Sequence, residues 1–235
     1  FKSAELRDKL NHQIVNQAQA MGVLFFGAPN FFVPRMPPAM LWPPGSAAKA
    51  SYYDNTPLKA TLERLVDFDR INAGQMRFSV GAVDVCSGNF IYFDSTTHRI
   101  RAEHIIASGS LPPGFAATEV DGQHYWDGGL ISNTPLQWVL DSRPRRDTLA
   151  FQVDLWNSRG ILPKGLIEVE VRQKEIVYSS RNRAATDQYR KSQKLRNAVA
   201  NLIRQLPAEL QDSDDAKLLG READDKVCNI VHLIY

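Results

Sequence analysis

Two cysteines in 235 residues, Cys86 and Cys228, stand far apart and form no CxxC pair. That excludes a disulfide framework and a zinc cage as the basis of the fold. No apolar run reaches the roughly 20 residues that a membrane span needs. The apolar-rich stretch from Met21 to Pro34 is shorter and is broken by glycine and proline. The net charge is only +2, too little to call for nucleic acid as a partner. His12, His98, His104 and His232 lack metal-ligand spacing, so no metal is expected, and nothing calls for an organic cofactor. No signal peptide is visible and the first residue is Phe1. What remains is a globular composition, long enough for one sizeable core with or without a helical appendage.

The pattern along the chain alternates strands and helices, which predicts an α/β architecture. Residues 2–20 carry Leu6, Leu10, Ile14 and Val15 at helical spacing. From Gly22 to Gly45, Phe25, Phe26, Phe31, Phe32 and Trp42 lie among six prolines, which predicts an irregular greasy loop. Such a loop either packs across the core or forms a lid or membrane-facing collar. Thr56-Pro57 has the chemistry of a helix start, with Thr56 as N-cap and Leu58, Leu62, Leu65 and Val66 as an apolar stripe. Arg77–Val85 and Asn89–Phe93 read as one β-hairpin. The strands around Asp121-Gly122 read as another. Glu103–Ala107 reads as a short helix, and Pro135 opens one carrying Leu136, Val139 and Leu140. Thr148 to Trp156 is the best candidate for a buried central strand. Leu166 to Leu206 reads as a basic helix. Glu209–Asp225, acidic on balance, either pairs with it or leaves its basic face for anionic headgroups. Val227–Tyr235 closes the chain as an apolar strand.

The chemistry centres on Asp127-Gly128-Gly129, a carboxylate at a strand end followed by two glycines. Glycines there permit a positive φ or a close backbone approach, and strand ends are where α/β proteins place their sites. Asn133 and Pro135 follow and would order the loop. Ser108, Gly109 and Ser110 make a flexible turn, without features of a nucleophile. His124 stands an odd number of residues before Asp127, so strand alternation turns it away. Asp84 and Asp94 are expected to be structural polar groups near the first hairpin.

The order of these segments carries more than any one of them. Pro57-Leu58 comes first, then Ser79-Val80-Gly81-Ala82-Val83-Asp84-Val85. Ala107-Ser108-Gly109-Ser110-Leu111-Pro112 and Tyr125-Trp126-Asp127-Gly128-Gly129 follow, with Asn133-Thr134-Pro135 last. Over roughly Tyr52 to Leu136 this resembles the patatin-like phospholipases. The long basic helix resembles that of a bacterial subgroup with a C-terminal extension. The resemblance implies a three-layer α/β sandwich with a mixed sheet and hairpins, here incomplete. It divides the chain into a patatin-like region, residues 1–160, and a helical extension ending in a strand, residues 161–235. It also implies a serine–aspartate dyad that hydrolyses a lipid ester, with Asp127 as general base and Gly128, Gly129 and Asn133 as its supporting turn. Ser108, Gly109 and Pro112 would line the substrate site. The sequence departs from the family in having neither G-x-S-x-G nor a glycine-rich oxyanion loop. The expectation is an incomplete chain, inactive alone, whose nucleophile sits on an absent N-terminal segment. A degenerate lipid- or membrane-binding relative is the alternative. Either would act in the cytoplasm or at a membrane periphery.

Overall fold

The architecture was read from a computed structural model, which describes residues 15–16, 18–41, 43, 45, 49–132, 135–223 and 226–234. Leu6, Leu10 and Ile14, Trp42 and Asn133 lie outside the described residues. The chain divides into two compact units, Phe1–Ile131 and Ser132–Tyr235. The sequence reading divided it at 160/161 instead. The two divisions differ because the strand Thr148–Asp154 and the helix before it pack with the C-terminal extension.

The first unit is built on a four-stranded antiparallel sheet. Its strands are β3 (Ser79–Asp84), β4 (Phe90–Asp94), β5 (Thr118–Val120) and β6 (Gln123–Asp127), in the order β4-β3-β6-β5. Both expected hairpins are present, and their turns explain them. Asp121 and Gly122 both take positive φ, 51° and 81°, which matches the twist of a two-residue hairpin. In the β3–β4 turn the Asp84 carboxylate accepts the amides of Cys86 and Ser87, and Gly88 takes φ 70°. Helix α4 (Ala102–Ser108) packs on this sheet. The core gathers Ala82, Phe93, Ile100, Ala107 and Val120, with Phe68, Phe78, Val80 and Tyr125 at its margin. Asp94 is 2% exposed beside this core. Its carboxylate accepts from Ser79 Oγ, from the amide and hydroxyl of Thr96, and from Arg77 Nε at 2.6 Å. Burial works to raise this carboxyl, but the bonds from Ser79, Thr96 and Arg77 outweigh it and hold it well below the usual range. Asp84 and Asp94 are thus the structural groups expected.

The aromatic stretch is less irregular than its prolines imply. Residues 18–26 form α1, ending before the first proline at Pro29. Beyond it, β1 (Val33–Pro34) pairs antiparallel with β2 (Tyr53–Asp54). The two readings of this stretch divide between its side chains. Phe31 and Phe32 pack edge-on into a cluster with Tyr53 and Phe115. Phe25, Phe26, Met36, Met40 and Leu41 are exposed. Helix α2 (Thr56–Leu65) has Asn55, not Thr56, at its N-cap, because the Asp54 carboxylate takes the Thr56 amide and hydroxyl. A short α3 (Phe68–Asn72) follows, capped by Asp67.

The second unit consists of α5 (Leu136–Leu140), β7 (Thr148–Asp154), α6 (Leu166–Gln205), α7 (Ala208–Gln211), α8 (Asp214–Glu222) and β8 (Cys228–Ile234). β7 pairs in parallel with β8, and α6 spans 40 residues between them. Leu136, Leu140 and Tyr189 make the core, against Ala150, Cys228 and Ile230. The expectation that β7 is a buried central strand is corrected here. Leu149, Phe151 and Val153 are exposed, while Gln152 and Asp154 are buried. Alternation decides this, because the even-numbered residues face α6. There Asn182 Nδ2 donates to Asp154 Oδ1 at 2.6 Å, and Thr186 Oγ1 lies 3.1 Å from Gln152 Oε1. His232 Nδ1 lies 3.8 Å from Asp154 Oδ2. Helices α6 and α8 pack together as expected, but their ion pairs go elsewhere among the described residues. Arg196 on α6 binds Asp141, and Glu222 on α8 binds Arg143 and Arg145.

Candidate active site

Asp127 is the last residue of β6, paired across the sheet with Ala82. It is also the N-cap of a 3-10 turn, Gly128–Leu130, where its Oδ1 accepts the Gly129 amide at 2.7 Å. The glycine after it is a steric requirement. A Cβ on Gly128 would stand 2.5 Å from the carbonyl oxygen of Gly81 and 3.2 Å from the amide nitrogen of Ala82. The chain therefore crosses the β3 backbone at a distance only glycine permits. Neither Gly128 nor Gly129 is among the glycines at positive φ, so close approach, not a left-handed turn, is the reason for Gly128.

The Ser108–Ser110 turn is brought to the same place. Ser108 ends α4 and Gly109 caps it, and the Ser110 carbonyl accepts the Asp127 amide at 3.0 Å. Ser110 itself is fully buried. Its hydroxyl bonds the Ile106 carbonyl and the Thr118 hydroxyl, both at 2.8 Å. It is an anchor between α4 and β5. Pro112 lies just beyond, and the Pro113 and Gly114 carbonyls accept the amides of Tyr52 and Tyr53. Among the described residues no hydrogen bond or ion pair joins His124 to Asp127.

The electrostatics single out Asp127. Burial pushes its carboxyl above the ordinary carboxylate value, and the Gly129 amide opposes that only in part. No salt bridge among the described residues neutralises it, and Oδ2 carries no hydrogen bond from them. A partly desolvated carboxylate, held at Oδ1 by the Gly129 amide and with no bond to Oδ2 from the described residues, is equipped to accept a proton. No cluster of potential metal ligands exists among the described residues.

Residues 21–140 match the family model described as Patatin-like phospholipase, and residues 176–235 match one described as Patatin phospholipase. The chain belongs to the patatin-like phospholipase family. No individual curated protein matches it. Membership makes this a chain of lipid hydrolase stock with a mixed α/β fold, and it implies lipid substrates. The first match ends within α5, so the sheet, the Ser108–Ser110 turn and Asp127 all lie in its patatin-like part. Sequence reasoning missed two features of the candidate site. One is the Gly81–Gly128 contact, which joins glycines distant in sequence. The other is the Ser110 carbonyl, a main-chain group with no side-chain signature.

Proposed function

We propose that this chain carries the general base of a serine–aspartate lipid acyl hydrolase, with Asp127 in that role and the serine supplied by polypeptide outside these 235 residues. The observation that carries the reading is the state of one carboxylate. Asp127 is desolvated, is unpaired with any cation among the described residues, and ends a sheet strand beside a backbone turn. In the reaction, Asp127 takes the proton from the serine hydroxyl as its oxygen attacks the ester carbonyl carbon. Asp127 returns that proton to the departing alcohol when the carbonyl re-forms as an acyl-serine. Water, deprotonated by the same carboxylate, then attacks the acyl carbon; the bond to the serine oxygen breaks, that oxygen takes the proton back from Asp127, and the fatty acid is released. Gly128 and Gly129 support the turn, to which the sequence pattern also assigns Asn133, and Ser108, Gly109 and Pro112 line the substrate side. The chain alone is inactive, and the complete protein works on a carboxylic ester, a phospholipid among the candidates.

The test is Asp127→Asn in the complete protein. Asparagine keeps the acceptor for the Gly129 amide and loses the base. The expected result is a fall in kcat of about 10²–10⁴-fold, the usual worth of a positioned base, with little change in KM. Wild-type turnover in that variant would remove Asp127 from the mechanism. A second reading, a non-catalytic protein at a lipid surface, is favoured by the exposed Phe25, Phe26, Met36, Met40 and Leu41. It predicts vesicle binding without ester cleavage by the complete protein.

A further inference from the structure

The strongest feature outside this site is the loop that joins β7 to α6, residues 155–165. Ile161 and Leu162 at its tip, and Leu166 just beyond, are 87%, 84% and 84% exposed. Three aliphatic side chains so close in sequence and so open to water are not the scatter of apolar residues that any surface carries. The loop is also built to hold them there. The Arg172 guanidinium donates to the carbonyls of Asn157 and Ser158, at 3.2 and 2.6 Å, and to Glu175 at 2.7 Å. That guanidinium lies so close over Gly160 that a Cβ there would meet Nη1 at 2.6 Å. Asn157 Oδ1 accepts the Arg159 amide, and Glu168 Oε2 accepts the Lys164 amide. Pro163 stiffens the segment between these bonds. The aliphatic groups are therefore exposed on a loop that these bonds hold in place.

We infer that residues 155–166 are a docking tip for an anionic lipid surface, with Ile161, Leu162 and Leu166 entering the apolar layer and Arg159 and Lys164 meeting the headgroups. Charge favours a lipid surface over other partners. Arg159 and Lys164 are the charged residues from Leu155 through Leu166 and both are exposed, and the nearest acidic side chain beyond them, Glu168, is turned to the Lys164 amide. Apolar groups flanked by cations are the pattern of interfacial lipid contact. Family membership supplies the reason for such contact, because a lipid hydrolase must reach substrate that resides in a lipid phase. Among the described residues no helix is long and apolar enough to cross a membrane, so this attachment is peripheral. The inference rests on the lipid-substrate reading but not on Asp127 or on turnover.

The experiment is co-sedimentation of the chain with vesicles of phosphatidylcholine alone and of phosphatidylcholine mixed with phosphatidylglycerol. The wild type is expected to bind the mixed vesicles more tightly, and less so as salt is raised. The double variant Ile161→Asp, Leu162→Asp should lower the partition at least about tenfold, since burying one aliphatic side chain is worth on the order of tenfold. Both positions are open to solvent, and an unchanged circular dichroism spectrum confirms the fold. Arg159→Ala with Lys164→Ala should reduce binding to mixed vesicles and leave the phosphatidylcholine value alone. Asp127→Asn should bind like the wild type, which separates this inference from the catalytic one. Wild-type binding by the double aspartate variant would overturn the proposal and place the lipid contact elsewhere. So would failure of the wild type to bind either vesicle, or self-association of the chain that the aspartates abolish.

Discussion

Gly128→Ala adds one methyl where the end of β6 lies on the β3 backbone, and its effect follows from the geometry. The new Cβ would stand 2.5 Å from the Gly81 oxygen, 2.7 Å from its carbonyl carbon and 3.2 Å from the Ala82 nitrogen. All three are main-chain atoms of a strand bonded on both sides, so no side-chain rotation relieves the clash. Ordinary contact begins near 3.4 Å, which requires the chain to move by roughly 1 Å. Overpacking of this kind costs about 1–3 kcal/mol. The same shift carries the Asp127 carboxyl with it, and a 1 Å misplacement is worth about 10²-fold in rate. Gly109→Ala is the control. Its Cβ would find its nearest atoms at 3.8 and 3.9 Å, with φ at −111°, so it is expected to be neutral within about 0.5 kcal/mol. Urea unfolding followed by circular dichroism measures both. Equal midpoints for the two variants would refute the claim that backbone contact makes the second residue of Asp-Gly-Gly a glycine.

Three further outcomes are expected. Asp94→Asn should cost about 2–3 kcal/mol at neutral pH, because it disturbs bonds from Ser79, Thr96 and Arg77 at a buried site. The Asp94 carboxyl is depressed on folding, so its contribution is present above the ordinary 3.8 and fades as pH falls toward the folded value. The variant's stability, by acid titration of the urea midpoint, should fall less steeply below about pH 4. Ser110→Ala should destabilise by about 1 kcal/mol yet leave turnover of the complete hydrolase within about twofold, since its hydroxyl only links α4 to β5. A large rate loss without a stability change would contradict that role. The pH profile of kcat/KM in the complete hydrolase should rise through an acid limb centred above 3.8, because the raised carboxyl must ionise before it can act. A limb at or below that value would show that the working base is not desolvated.

Much of the fold was written locally and was therefore readable. Asp121-Gly122 fixes its hairpin through the two positive φ values that this pair tolerates. The Cys86–Gly88 turn follows from the Asp84 side chain taking backbone amides. The run from Leu166 is helical without interruption as far as Gln205. Asp127 was legible as a carboxylate at a strand end followed by glycine. What escaped reading depends on pairing across distance. The apolar content of β7 reads as a buried central strand, yet β8 as its neighbour and α6 as its cover are decided by segments far along the chain. Alternation then puts Leu149, Phe151 and Val153 on the open side. The β6–β3 contact at Gly128 and the solvent-facing Ile161 are likewise facts of tertiary placement. Sequence alone makes the first a turn glycine and the second an ordinary aliphatic.

The polar seam under α6 has one more consequence. A long helix on a two-stranded sheet, held only by aliphatic contacts, would have neighbouring seats of nearly equal energy, one turn up or one turn down. Asn182 bonding Asp154 and Thr186 beside Gln152 remove that degeneracy, because any slip would strand several polar groups away from water. The Gln152 amide nitrogen, buried without a partner among the described residues, is a cost accepted at the seam. The helix is keyed like a shaft in a slot, with its rotation and its travel set by the same few teeth.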